Sequence, residues 1–385
     1  MIETSRVIPF ARPSLDQDDR EAVVEVLRGH ILTHGPRCKS FEEEFAAFMG
    51  DGAHCVSVSS CMAALHLVYF FLRLGPGDEV IVPAETHTAT AHAVELMGAR
   101  PVFVDCELQT GNIDISKIEA AITPHTKALS LVHFIGIPCD MDAVMSIAER
   151  HNLKVVEDCA LAVGARYKGK HVGLHGDFGC FSFYPVKHIT TAEGGMLVSR
   201  HQDTAATIAK LRAFGVDRSH AERDVPGMYD VVALGLNYRM SEMQAALGRE
   251  QLKKADEMLR RRATNFERLK SNLLTISDIS ILDGDEDSVN SHYCLCVLFR
   301  GRLSSQRNAI LGRLKEAGIG TSIYYPQPVP RLSYYRNKYG YDDARFPNAT
   351  LISDSSIALP VGPHVDSSDM DYVAEQLNNI IKGVH

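Results

Sequence analysis

Phe181-Ser182-Phe183-Tyr184-Pro185-Val186-Lys187-His188-Ile189-Thr190-Thr191-Ala192-Glu193-Gly194-Gly195 runs from an apolar strand pattern, through a single amine, to a glycine pair. An amine held between a buried strand and a tight turn is placed to form an imine with an aldehyde. Upstream, Leu153-Lys154-Val155-Val156-Glu157-Asp158 reads as a buried strand that ends in two carboxylates. An acid at such a strand end can keep a pyridine nitrogen protonated, so Lys187 and Asp158 together point to pyridoxal phosphate chemistry. Alone, a lysine after a turn is ordinarily a solvated side chain, and a strand-end Asp ordinarily caps a turn. The conjunction carries the reading.

Outward from this stretch the apolar periodicity alternates. Short apolar runs at 54–59, 79–82, 101–105, 127–134 and 153–157 are separated by helical patterns near 62–74, 87–97, 115–122 and 140–151. Strands near 179–184 and 195–199 extend the series. This is the signature of an α/β fold with a mostly parallel sheet flanked by helices. Ligands in such sheets sit at the carboxyl ends of the strands, which directs attention to Ser59, Ser60, Asp158 and the 182–187 loop. Two helices precede the sheet at 13–28 and 39–49, with Ser14 and Ser40 as candidate N-caps and Gly29 and Gly50 as stops. Residues 241–272 read as one long charged helix. It joins a large domain, 1–250, to a smaller C-terminal α+β domain, 251–385, with a strand at 292–299, helices at 304–317 and 367–382, and a Pro/Tyr-rich loop at 321–345.

At 385 residues the chain is long enough for two such domains and a substantial core. No apolar stretch approaches the roughly 20 residues of a membrane helix, and the start lacks the character of a signal peptide, so the expected compartment is the cytoplasm. A net charge of −8 argues against a nucleic-acid surface. Nine cysteines without a C-x-x-C pair suggest reduced thiols and no metal site.

The motifs in order resemble the DegT/DnrJ/EryC1/StrS family of sugar aminotransferases, of fold type I. They are Gly35-Pro36 before Phe41-Glu42, Gly75-Pro76-Gly77-Asp78-Glu79-Val80-Ile81, Gly98-Ala99-Arg100-Pro101-Val102-Phe103-Val104-Asp105, Glu157-Asp158, the run Lys187 to Gly195, and Leu236-Asn237-Tyr238-Arg239 before Ala245-Ala246. The resemblance implies that Lys187 bonds the cofactor and later shuttles a proton, and that Asp158 faces the ring nitrogen. Glu157, on the other side by strand alternation, would be structural. The phosphate is expected at the turn Ser60-Cys61-Met62, where a helix N-terminus favours an anion, with Ser182 supplying a hydroxyl. Asn237 resembles the residue that reaches the phosphate from a second subunit, which implies a homodimer with shared sites.

The chain departs from the family at several places. Met62 offers only a backbone amide where relatives carry a hydroxyl. His87 stands where they place an aromatic against the cofactor ring, and Leu161 where many have Gln or His. His188, Glu193, Arg239 and Tyr325 are candidates for the sugar pocket, and Arg212, Arg218, Arg223 and Arg331 for a diphosphate or donor carboxylates. The implied reaction moves an amino group, from L-glutamate, onto a nucleotide-linked keto sugar by a ping-pong mechanism. Alternatives are a sugar dehydratase, an aminotransferase acting on a free cyclitol or keto-sugar acid, and a regulatory protein that binds the cofactor without turnover.

Overall fold

The computed structural model describes residues 6–217, 225 and 227–383. Seven strands form one sheet: β1 (His54–Val58), β2 (Glu79–Pro83), β3 (Arg100–Val104), β4 (Thr126–Val132), β5 (Lys154–Asp158), β6 (Phe178–Ser182) and β7 (Gly195–Ser199), in the spatial order β1-β7-β6-β5-β4-β2-β3. The pairs β2 with β3, β2 with β4, β4 with β5 and β5 with β6 are parallel, whereas β7 runs antiparallel to both β6 and β1. β1, β5 and β6 therefore end on the same edge, each delivering a predicted site residue there: Ser60, Asp158 and Ser182.

The central strands read as near-continuous apolar runs because helices cover both faces. The helix Cys61–Phe71 has no acidic residue and buries Ala63, Ala64, Leu65, Leu67, Val68 and Tyr69 against β1, β6 and β7. Its N-terminus lies directly on β7: a Cβ on Gly195 would come within 2.5 Å of the Ser60 carbonyl carbon and 2.7 Å of the Cys61 nitrogen. Only glycine permits that approach, so the second member of the glycine pair sets where the first helix turn meets the sheet.

Three antiparallel strands, β8 (Ile279–Ile281), β9 (Leu295–Phe299) and β10 (Ser356–Leu359), make a second sheet in the order β8-β9-β10. Its core joins Leu295, Val297 and Phe299 to Phe266 and Leu269 of the helix Ala255–Leu273 and to Val373 and Leu377 of the last helix, Ser367–Lys382. Each such side chain contributes roughly 1.5–3 kcal/mol on burial. Ile8 belongs to the same core, bridged in parallel to Ile319. The start of the chain thus packs with the C-terminal unit, although it reads in sequence as part of the large domain.

Three local expectations are corrected. The long helix near 241–272 is two helices, Glu242–Lys253 and Ala255–Leu273, interrupted at Lys254 with φ −100° and ψ −1°. The Lys254 amine reaches Asp16 and Asp19, both at 2.6 Å, which ties the break to the first helix. That helix, Gln17–Arg28, is capped by Asp16 in a reciprocal pair with Asp19, not by Ser14. The next, Pro36–Met49, starts at Gly35-Pro36 rather than Ser40, and buried Glu242 accepts from the Arg37 and Cys38 amides at 2.7 and 3.2 Å. A carboxylate from a distant helix does there what a local hydroxyl was expected to do.

Candidate active site

Asp158 closes β5 on the site edge and is 4% exposed. Its Oδ1 accepts from the Ala160 amide at 3.0 Å and the Cys61 thiol at 3.8 Å, and its Oδ2 from the Thr90 hydroxyl at 2.8 Å. A carboxylate offers about four lone-pair sites, so one on Oδ2 remains for a further donor. Thr86 and Thr90 hydroxyls are 2.9 Å apart and extend the chain away from the carboxylate.

Glu157, one residue earlier, faces the other side. It accepts from the Gly173 and Gly176 amides, both at 2.6 Å, and from His133 Nε2 at 3.0 Å. These bonds hold the carboxyl below its usual range despite the burial that pushes it up. His133, Glu157 and Cys159 place three metal-type donors within 4.8 Å of one another. Their atoms are already engaged, since His133 Nδ1 accepts from the Cys139 amide at 3.1 Å and the Cys159 thiol donates to the Glu157 carbonyl at 3.6 Å.

Lys187 follows β6 by one turn, its amide bonded to the Tyr184 carbonyl at 2.9 Å. Burial of the amine lowers its pKa to about 8, while Cys61, Asp158 and Cys294 pull it upward. Desolvation is the larger effect. The Nζ lies 5.3 Å from the centroid of the Tyr293 ring.

Ser60 caps the helix Cys61–Phe71, its Oγ accepting from the Ala63 amide at 3.1 Å. First-turn amides have no intrahelical acceptor, so those of Cys61 and Met62 point out toward the site edge with the positive end of the helix dipole. Ser182, 8% exposed, accepts from the Tyr184 amide at 3.4 Å and keeps its proton to donate. Together these residues fit pyridoxal phosphate: amides, a helix N-terminus and a hydroxyl for the phosphate, an open carboxylate lone pair for the ring nitrogen, and a desolvated amine for the aldehyde.

The remaining candidates divide. His87 caps the helix Thr88–Leu96, Nδ1 accepting from the Ala89 amide at 3.1 Å, and its ring meets Tyr325 edge-on at 5.7 Å. Capping through Nδ1 requires the neutral ring, consistent with burial lowering its pKa, and both Asp158 and Lys187 act on it. Tyr325 is partly exposed, and its amide donates to Glu85 at 2.7 Å. Asn237 is exposed, in an antiparallel bridge with Ala213, and Arg239 lies 5.0 Å over the Phe214 ring. Glu193 has an exposed side chain, and its carbonyl is held by Thr191 and Gln244.

His188, a candidate for the sugar pocket in the sequence, is buried. It is 3% exposed, with Nε2 at 3.1 Å from the Ser291 carbonyl, which makes it a packing residue behind Lys187. Leu161 is likewise buried, and its carbonyl accepts from Ser291 at 2.8 Å. Arg212 gives its Nη1 to Glu42 and Ser57 while its buried Nε has no partner among the described residues, and Arg331 is spent on Asp354. Arg218 and Arg223 lie outside the described residues.

Sequence reasoning passed over Thr90, Glu85 and Tyr293. Glu85 is fully buried at the end of β2, bonded to the Tyr325 amide and, at 2.8 Å, to Ser353, so it fastens the large sheet to the C-terminal unit. Burial raises its pKa to about 8. A raised acid binds its proton more tightly in the folded state, so stability is full near pH 4.5 and falls as pH rises toward 8. Glu85→Gln removes the titration: melting curves of the variant and parent are expected to agree near pH 4, with the variant melting several degrees higher at pH 9. Equal melting at both pH values would contradict this account.

Residues 13–378 match the DegT/DnrJ/EryC1/StrS aminotransferase family. The chain belongs to that family. It is 37% identical over 381 residues to the spore coat polysaccharide biosynthesis protein SpsC of Bacillus subtilis, covering 98% of this chain and 97% of that one. Spr1654 of Streptococcus pneumoniae, described as a sugar aminotransferase and solved in its PMP form, superposes with a TM-score of 0.93 at 30% identity, over 98% of this chain and 100% of that one. Its PLP form gives 0.92 at 31%, over 99% and 100%. DesV of S. venezuelae gives 0.88 at 33% identity, over 96% and 98%. Fold class, cofactor and enzyme class are as the sequence implied: the chain is a pyridoxal phosphate-dependent sugar aminotransferase. Among the described residues no helix is long and apolar enough to cross a membrane.

Proposed function

We propose that the enzyme transfers an amino group from L-glutamate to the ketone of a nucleotide-linked sugar, in two half-reactions at one site. The observation that carries this reading is the half-buried Lys187 amine, its pKa lowered to about 8, on the edge that holds Asp158, whose carboxylate keeps one acceptor position open. When bound, pyridoxal phosphate supplies an aldehyde and a cationic ring that takes up the electrons of a bond broken at carbon.

Lys187 has two tasks, as nucleophile and then as base at the donor α-carbon, and both need the neutral amine. At a pKa of about 8 roughly a tenth is neutral at pH 7, a few hundred times the fraction of an ordinary lysine. Asp158 holds the ring nitrogen protonated, with Thr90 fixing the carboxylate. The amides of Cys61 and Met62 and the Ser182 hydroxyl hold the phosphate, so that Met62 serves through its backbone. His87 and Tyr325 form the wall opposite, and Glu193 and Arg239 remain candidates for the sugar or its diphosphate.

Asn237 completes the phosphate site from a second copy of the chain. Support comes from the neighbouring run, where Met228, Val231, Val232 and Leu234 are all more than half exposed, together with Phe214 at 49%. Apolar surface of that density marks an association face. The similarity to SpsC, named for spore coat polysaccharide biosynthesis, favours a polysaccharide precursor as the product.

The test incubates cofactor-loaded enzyme with L-glutamate, removes the amino acid, and then adds nucleotide-linked 4-keto or 3-keto sugars. Expected are one equivalent of 2-oxoglutarate in the first step and one of amino sugar in the second. Failure of every amino donor to release a keto acid would overturn the reading.

A further inference from the structure

The residues Asn290–Tyr293 are pinned to the large domain from several sides. The Ser291 carbonyl accepts from His188, its amide donates to the Gly136 carbonyl at 3.1 Å, and its hydroxyl donates to the Leu161 carbonyl. Arg262, 5% exposed, gives its Nη1 to the Tyr293 carbonyl at 3.0 Å and to the His292 carbonyl at 3.4 Å. Its Nε finds no partner among the described residues. Between these bonds His292 adopts φ +52°, a left-handed conformation that costs a non-glycine residue on the order of 1 kcal/mol. A buried guanidinium spent on two carbonyls and a strained backbone together hold one thing in place: the ring of Tyr293.

That ring is 4% exposed and presents its face 5.3 Å from the Lys187 amine. Its hydroxyl pairs with the Tyr324 hydroxyl at 2.7 Å, which fixes the edge and leaves the face to the amine. Cys61, Asp158 and Cys294 also act electrostatically on Lys187, and the amine in turn acts on His87 and His188. Burial pushes the Cys61 and Cys294 thiols up, so they keep their protons, and Asp158 is committed to the cofactor ring. A cation over an aromatic face is attracted by the ring quadrupole, more strongly where water is excluded.

We propose that Tyr293 is a catalytic residue whose ring face stabilises Lys187 in its ammonium form, the state the amine passes through while it carries the α-proton. The inference rests on Lys187 being the reacting amine. Tyr293 sets how readily the amine picks up and keeps that proton, and its hydroxyl bond to Tyr324 links this setting to the Tyr324-Tyr325 loop on the substrate side.

The experiment measures the pH dependence of Lys187 acylation by trace acetic anhydride in cofactor-free protein, read by peptide mass spectrometry. Tyr293→Phe, which keeps the face, is expected to leave the midpoint within about 0.2 unit. Tyr293→Leu is expected to lower it by about half to one unit, a three- to tenfold shift in favour of the neutral amine. Pentafluorophenylalanine at position 293 keeps the shape and reverses the quadrupole, so it reproduces the lowering even if the Leu variant does not fold. An unchanged midpoint in the fluorinated protein overturns the proposal. A Lys187→Ala enzyme that still turns over would instead sink the assignment of the reacting amine.

Discussion

Lys187→Ala is expected to abolish amino transfer while leaving the fold intact. The variant lacks both the nucleophile and the proton carrier at the donor carbon, and general base catalysis alone is worth about 10²–10⁴ in rate. Together with the lost covalent attachment, turnover should fall by at least roughly 10⁴, and the visible absorption of lysine-bound cofactor should disappear. Stability moves the other way. Burial holds the amine at about pKa 8 against 10.5 when unfolded, so the unfolded chain binds protons more tightly over that interval. The cost to the folded state is fully present below pH 8 and fades as pH rises toward 10.5. Cofactor-free Lys187→Ala should therefore melt above the parent at pH 7 and approach it near pH 10.5, as calorimetry on both proteins would show. Retained turnover, or a variant less stable at pH 7, would refute the assignment of this amine.

What was legible in the sequence is what the chain encodes locally. Lys187 and Asp158 stand in strand-to-loop passages whose apolar periodicity is explicit, and the run of strands predicted the seven-stranded sheet, since each strand is bounded by its own turn signal. The misreadings occur where a distant residue decides. The helix predicted over 241–272 keeps its pattern through Lys254, and the break is tied to Asp16 and Asp19, more than 230 residues away. Ser40 looked like a cap because the true one, Glu242, is on another helix. The partners of Arg212 Nη1, Glu42 and Ser57, are likewise recognisable only in three dimensions. Thr90, Glu85 and Tyr293 had no signature at all: threonine in a helix, glutamate after a strand and tyrosine before one are ordinary until folding sets them against Asp158, Tyr325 and Lys187. Two signals were nonetheless readable, the Asp16-x-x-Asp19 capping pair and proline at the first helical position, Pro36.

Asp158→Asn is expected to reduce turnover by roughly 10²–10³, the range found when one preorganised electrostatic partner is removed. The substitution is nearly isosteric. Its side-chain oxygen can still accept from the Ala160 amide, and the amide group can meet the Thr90 hydroxyl, so the hydrogen-bond frame of the site survives. What is lost is the negative charge, and with it the reason for a ring nitrogen to stay protonated against burial. Loss of α-proton exchange on L-glutamate, followed by NMR in deuterated water, should match the loss of overall rate, because the charge acts on that step. Thr90→Val supplies the graded comparison. It keeps the carboxylate but removes its 2.8 Å donor, and a hydrogen bond to a charged group is worth about 1.5–3 kcal/mol, so the rate should fall about ten- to a hundredfold, and less than in Asp158→Asn. Equal losses in the two variants would mean that Asp158 works through geometry alone; near-normal exchange in Asp158→Asn would mean that the carboxylate does not face the ring.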